Sequence, residues 1–143
     1  MNTRCTRITL LLACGWVLLG TSMAFAAPPA PCQVLSAETW SSVMGYAATA
    51  TPGDMNCTYE GPGKAGGGQF RIIAVVGSSA EAEASAKRMR DHPQRGSHDP
   101  RLGVVDSQGT VVFSISLFQH AATDSTAAQL QKLVAAAKKS LSR

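Results

Sequence analysis

The pattern from Met1 to Ala26 constrains this chain most, because it reads as a segment that takes no part in the fold. Arg4 and Arg7, with no acid between them, precede an apolar run from Ile8 to Gly20. Small residues then lead to Ala24-Phe25-Ala26. A basic start, an apolar middle and an Ala-Phe-Ala end describe a secretory signal peptide, cut before Ala27. The apolar run falls short of the roughly 18–20 residues needed to cross a bilayer, so no stable membrane span is expected. Leu11-Leu12-Ala13-Cys14 has the form of a bacterial lipid-attachment box, yet apolar and small residues continue beyond it. The expectation is a soluble periplasmic or secreted protein, with lipid anchoring at Cys14 as the alternative.

Without that segment, 117 of the 143 residues remain, with 11 of the 13 Lys and Arg against all 9 acids. That length suits one domain with a modest core. Of the four cysteines, only Cys32 and Cys57 stay. An oxidising compartment and two cysteines leave one intramolecular bridge, Cys32–Cys57. No Cys-x-x-Cys and no neighbouring histidine points to a metal or a reactive thiol instead.

Ala27 to Pro31 is a stiff proline-rich leader, and the domain is expected over residues 32–143. Ser36 caps a helix predicted to run to about Ala47, with Trp40, Val43, Met44 and Ala47 on one face. Thr51-Pro52-Gly53-Asp54 reads as a turn. Asn56–Glu60 is a strand with Cys57 and Tyr59 facing inward. Gln69–Val76 is a second strand, with Phe70, Ile72, Ala74 and Val76 on one face and Gln69 and Arg71 on the other. The glycine-rich Gly61–Gly68 connector reads as a loose hairpin loop. Ser78 and Glu81 open a helix to about Asp91, whose thin apolar side is Ala82, Ala86 and Met89.

Leu102–Val105 and Thr110–Phe118 are strands around a turn at Asp106–Gly109, and Ser114 and Ser116 face outward. Asp124 or Thr123 caps a last helix with Ala127, Leu130, Val134, Ala137 and Leu141 on one side. The expected fold is therefore α+β in the order α-β-β-α-β-β-α. Its antiparallel sheet is covered by helices on one face and stapled by one disulfide.

Cys32-Gln-Val-Leu-Ser-Ala-Glu38, then Gly45, then Cys57-Thr-Tyr59 resembles the opening of small exported bacterial domains of unknown function. Those domains often begin Cys-x-Leu-Leu-Ser/Thr-x-Glu and continue to Cys-x-Tyr or Cys-x-Trp. They are commonly lipid-anchored, and this chain differs in its soluble type of signal. The resemblance implies an exported α+β domain with a Cys–Cys staple and carries no activity with it.

The chemistry-bearing patterns are sparse. Gly61-Pro-Gly-Lys-Ala-Gly66 matches Gly-x-Gly-x-x-Gly, but it lies between two strands and Pro62 lacks the amide a pyrophosphate would need. No cofactor is expected. His92 and His98, beside Asp91 and Asp99, are metal-ligand types at a spacing that fits no helical pair, and Arg95 between them repels a cation. His120, near Asp124, could belong to a hydrolytic triad, although no Gly-x-Ser-x-Gly elbow occurs. Glu38, Glu60 and Asp106 are the carboxylates available for acid–base work. Asn56-Cys57-Thr58 fits a glycosylation acceptor that a bacterial type of signal makes irrelevant.

Lys87, Arg88, Arg90, Arg95 and Arg101 form the one local excess of charge, and Arg71 adds to it from the outer sheet face. The resulting expectation is a monomeric, non-catalytic binding or accessory module. Its partner would be a protein or an anionic envelope component and not nucleic acid. The alternative is a metal-binding protein or small hydrolase built on His92, His98 or His120.

Overall fold

The computed structural model describes residues 27–92 and 99–143. Residues 1–26, read as a signal segment and including Cys14, and residues 93–98, including Arg95 and His98, lie outside the described residues. The element order is α1 (Pro31–Val34), α2 (Ala37–Met44), β1 (Thr49–Pro52), β2 (Asn56–Glu60), β3 (Gly67–Val75), α3 (Ser79–Asp91), β4 (Gly103–Gln108), β5 (Val111–Phe118) and α4 (Asp124–Leu141). The strands form one antiparallel sheet in the order β1-β2-β3-β5-β4. The α+β class, the antiparallel sheet and the Cys32–Cys57 disulfide, with Cα atoms 5.0 Å apart, are as the sequence leads one to expect.

Two elements of the order are additional. The leader turns into α1 already at Pro31, where proline's fixed φ suits a first helical position. Thr51 and Pro52, read as a turn, belong to β1, whose register sets Thr51 opposite Thr58 and Pro52 opposite Cys57. Proline is tolerated there because β1 is an edge strand with one side free of ladder bonds. The turn itself comes later, where the Gly53 amide donates to the Asn56 carbonyl at 2.8 Å.

Other boundaries move for local reasons. Helix α2 stops at Met44 because Gly45 takes the left-handed conformation, with φ 79°. Strand β4 continues through Asp106 to Gln108, and the hairpin turns at Gly109-Thr110. Gly109, with φ 56°, supplies the positive φ wanted at the first central position of a two-residue hairpin. Helix caps follow the sequence closely. Ser36, Ser78 and Thr123 each accept from the amide three residues on, and Glu81 adds a bond from the Gly77 amide.

The core has two parts. Trp40, Tyr59, Phe70, Ile72, Phe113, Ile115, Leu130 and Leu133 centre the larger one, beneath α1, α2 and α4. Trp40 stacks on Tyr59 with ring centroids 4.1 Å apart, and the Tyr59 hydroxyl donates to the Leu35 carbonyl. Ala82, Ala86 and Val112 form the smaller one, with Ile73, Ala74, Val76 and Val105 around it. Successive residues Val112 and Phe113, or Val104 and Val105, contribute to different clusters, so the clusters lie on opposite sheet faces.

The expectation of helices on one face thus holds for α1, α2 and α4, while α3 packs on the other. A β-bulge between Ile72 and Ala74 explains part of this. It adds one residue to β3, so Phe70 and Ile72 face the larger core and Ala74 and Val76 face α3. They do not share one face, as strict alternation predicted. Met89, read as part of the buried stripe of α3, is 39% exposed.

Candidate functional site

Register shows what the outer sheet face presents. Thr51, Thr58, Gln69 and Ser116 lie side by side across β1, β2, β3 and β5. A parallel row runs through Asn56, Arg71 and Ser114. A third row holds Thr49, Glu60, Gly67 and Phe118. These are hydroxyls, amides, one cation, one acid and one exposed aromatic ring. Gln69 and Arg71 face outward with Ser114 and Ser116, as expected. The Gln69 amide donates to Thr58 Oγ1 at 3.3 Å, tying two members of the first row together.

At one end of this face lies a groove of about 280 Å³, lined by Thr58, Glu60, Gly67, Phe118, Gln119 and the glycine connector. Phe118 is 43% exposed at its rim. Gln119 beside it has φ 60°, a strained backbone for a residue with a side chain.

The connector is not a loose loop. The Gly61 amide donates to the Gly66 carbonyl at 2.8 Å, and the Ala65 amide donates to the Pro62 carbonyl at 3.1 Å. Three of its glycines are each pressed by a ring. A Cβ at Gly61 would come within 2.7 Å of the Tyr46 ring, and one at Gly66 within 2.6 Å of His120 Nε2. A Cβ at Gly68 would collide with Trp40 and the Ser116 carbonyl. The glycines exist here to let aromatic groups approach the backbone.

Those rings form a hydrogen-bonded chain. Trp40 Nε1 donates to Tyr46 Oη at 3.2 Å, and Tyr46 Oη lies 3.3 Å from His120 Nε2. Tyr46 follows the Gly45 cap of α2, and His120 follows the end of β5, so two distant segments meet over the loop. Burial lowers the His120 pKa from its ordinary value, and a backbone hydrogen bond with Gly67 opposes the shift.

The sequence-derived candidates fall in several places. His92 is the exposed C-cap of α3. His120 makes no recorded hydrogen bond or ion pair with Asp124 or any other carboxylate among the described residues. No cluster of three metal-ligating side chains occurs among the described residues. Glu38 sits in the first turn of α2, Glu60 on the outer sheet face, and Asp106 in edge strand β4, so the structure does not gather these carboxylates.

Much of the basic group is engaged internally. Lys87 pairs with Asp91, and Arg88 donates to Ser85. Arg90 donates to the Val105 carbonyl at 2.9 Å and lies 3.7 Å from Asp106, while Lys138 binds Asp106 at 2.8 Å. Arg101 grips both oxygens of Asp99 and holds that carboxyl down to about 2. Arg71 has no ion pair among the described residues.

Sequence reasoning named His120 but missed Tyr46, Phe118 and the ring-packed role of the glycines. The usable signal was the clustering of glycines between Gly61 and Gly68. Among the described residues, no helix is long and apolar enough to cross a membrane. Compared with protein-family models, curated proteins and solved structures, the chain matches none.

Proposed function

We propose that this protein is an exported, non-catalytic binding or accessory module of the periplasm or cell envelope, acting as a monomer without a cofactor. The N-terminal Met1–Ala26 pattern supports export and a mature chain beginning at Ala27. The recognition surface is the part of the outer sheet face that α3 leaves open, and the observation that carries this reading is its four-strand-wide polar array ending at the exposed Phe118 ring. Interfaces are centred on exposed aromatic and arginine anchors amid neutral polar groups, which describes Phe118 and Arg71 among Thr58, Gln69, Ser114 and Ser116.

A protein partner is favoured over an anionic envelope polymer. Lys87, Arg90 and Arg101 are each paired to a carboxylate, which removes most of the charge that would draw a polyanion. Inhibition of a secreted enzyme, or immunity to one, is the kind of role such a stapled scaffold serves.

The test is crosslinked capture from envelope extract with the wild-type protein, with Phe118→Asp and with Ser116→Arg. Lys139→Glu on α4 serves as a control away from the face. Loss of one specific partner with the two outer-face variants and retention with Lys139→Glu supports the reading. Equal capture by all four proteins, or no specific partner, overturns it.

A further inference from the structure

Gly67 is the middle of a row on the outer face, with Glu60 of β2 on one side and Phe118 of β5 on the other. Paired positions of an antiparallel sheet point to the same face, so the Glu60 and Phe118 side chains flank a position that has none. Two strand spacings of about 4.8 Å set their Cα atoms roughly 9–10 Å apart. The gap is built in, because a Cβ at Gly67 would collide with the Tyr59 carbonyl. Glu60 and Phe118 line the same groove of about 280 Å³, together with Thr58, Gln119 and glycines of the connector. The result is a slot with a bare backbone floor, a carboxylate on one wall and an aromatic ring on the other.

The charge of the slot is one-sided. No Lys or Arg lines it, and Glu60 has no ion pair among the described residues. Lys64 is exposed on the adjoining connector and forms no ion pair with it. Arg71 is paired with Asn56, four residues along β2 from Glu60, which is about 13 Å at about 3.3 Å per residue. Phe118 is in register to the last residue of β5, and the chain then leaves through Gln119 at φ 60°, an unfavourable backbone for a residue with a side chain.

We propose that this slot receives an arginine side chain of the protein partner, its guanidinium lying flat on the Phe118 ring and donating in a fork to the Glu60 carboxylate. This assignment rests on the binding reading above and names the chemistry of one of its contacts. A guanidinium offers five N–H donors and no acceptor, which suits a groove whose side chains supply a carboxylate, a hydroxyl and an amide oxygen. Its plane stacks on an aromatic ring and its fork fits both oxygens of a carboxylate, so one group uses both walls at once. A lysine ammonium is a point charge without that plane. An anionic ligand would meet Glu60 unopposed.

The experiment titrates the folded, disulfide-bonded protein with N-acetyl-arginine amide. NMR follows the Glu60, Gly67 and Gln119 amides and the Phe118 ring. The citrulline analogue, which has the same shape without the charge, and the lysine analogue are titrated at matched ionic strength. The arginine probe gives saturable shifts confined to the slot, the citrulline probe gives none that saturate, and the lysine probe binds more weakly. E60Q weakens arginine binding by about fivefold, the range of a partly solvated ion pair. F118L weakens it by about two- to fivefold through loss of the ring. Both side chains are exposed, so neither variant opens the core, and unchanged shifts elsewhere verify that the fold is kept.

Equal binding of the citrulline or lysine probe, arginine shifts that never saturate, or undiminished arginine binding in E60Q overturns the slot. Partner capture separates this inference from the reading it rests on. Capture lost with Phe118→Asp but undiminished with E60Q sinks the arginine slot and leaves the binding face standing. Saturable arginine binding with no partner captured sinks the binding reading and leaves the slot as a guanidinium site.

Discussion

On its inner face the sheet buries Trp40, Tyr59, Phe70, Phe113 and Ile115 under three helices, whereas on its outer face α3 covers Val112 with two alanines. The inner cluster holds every large ring of the described core, with stacked or tilted contacts between Trp40 and Tyr59 and between Phe70 and Phe113. The outer cluster is made of small and β-branched side chains. Buried apolar area sets the scale of hydrophobic stabilisation, so most of the folding free energy sits on the inner face. The outer face is free to carry polar side chains that stability does not require.

The strongest way to break this asymmetry is Trp40→Ala. It removes the ring that stacks on Tyr59, fills the space over Gly68 and donates to Tyr46. A loss of about 3–5 kcal/mol is expected, a large share of the roughly 5–15 kcal/mol that holds a domain folded. Urea unfolding followed by circular dichroism measures it. A loss below 1 kcal/mol would mean the inner face does not dominate.

The next effect tests the staple. Cys32 anchors α1 and Cys57 lies fully buried in β2, 25 residues apart. Replacing both with serine should remove about 3.5 kcal/mol by the chain-entropy argument, and burying a hydroxyl at position 57 adds to it. Thermal unfolding of the double variant beside the reduced wild type checks this. Matching losses would show that loop closure, and not the serine hydroxyls, carries the effect.

Val112→Ala probes the outer cluster directly. Two fewer buried carbons at about 0.8 kcal/mol each give a loss of about 1.6 kcal/mol. The change should loosen α3 ahead of the inner face. Hydrogen exchange resolved along the chain reads that difference. Uniform destabilisation of both faces would show that they unfold as one unit.

How much of this was legible in sequence depended on where side chains report their neighbours. Cys57 and Tyr59, or Phe113, Ile115 and Leu117, alternate strictly, and their strands followed from that. Ser36, Ser78 and Thr123 marked helix starts through their own hydroxyls. Gly67 and Gly68 gave no such report. They are strand residues paired with Glu60 and Tyr59, yet a residue without a side chain shows no facing pattern. Ala82 and Ala86 identified a buried stripe but not which sheet face it meets, because alanine fits either. One inserted residue at the β3 bulge reversed the facing of Ala74 and Val76. The site was hidden for another reason: Tyr46 and His120 are 74 residues apart, and only the closed sheet brings them together.

The smallest predicted effect concerns the seam between the two faces. Asp106 sits in edge strand β4 with its side chain 25% exposed. It receives Lys138 from the inner-face helix α4 at 2.8 Å and Arg90 from the outer-face helix α3 at 3.7 Å. It therefore links helices that otherwise meet only through the sheet. All three side chains are partly solvated, so screening limits each pair, and Asp106→Asn should cost about 1 kcal/mol or less. Arg90 keeps its bond to the Val105 carbonyl, which leaves α3 docked. A double-mutant cycle of Asp106→Asn with Lys138→Met, repeated at high salt, isolates the link. Coupling that fades with salt is the expected result. Coupling above 2 kcal/mol that resists salt would mean the two faces are held together by this carboxylate, and the outer helix could not be treated as a separate layer.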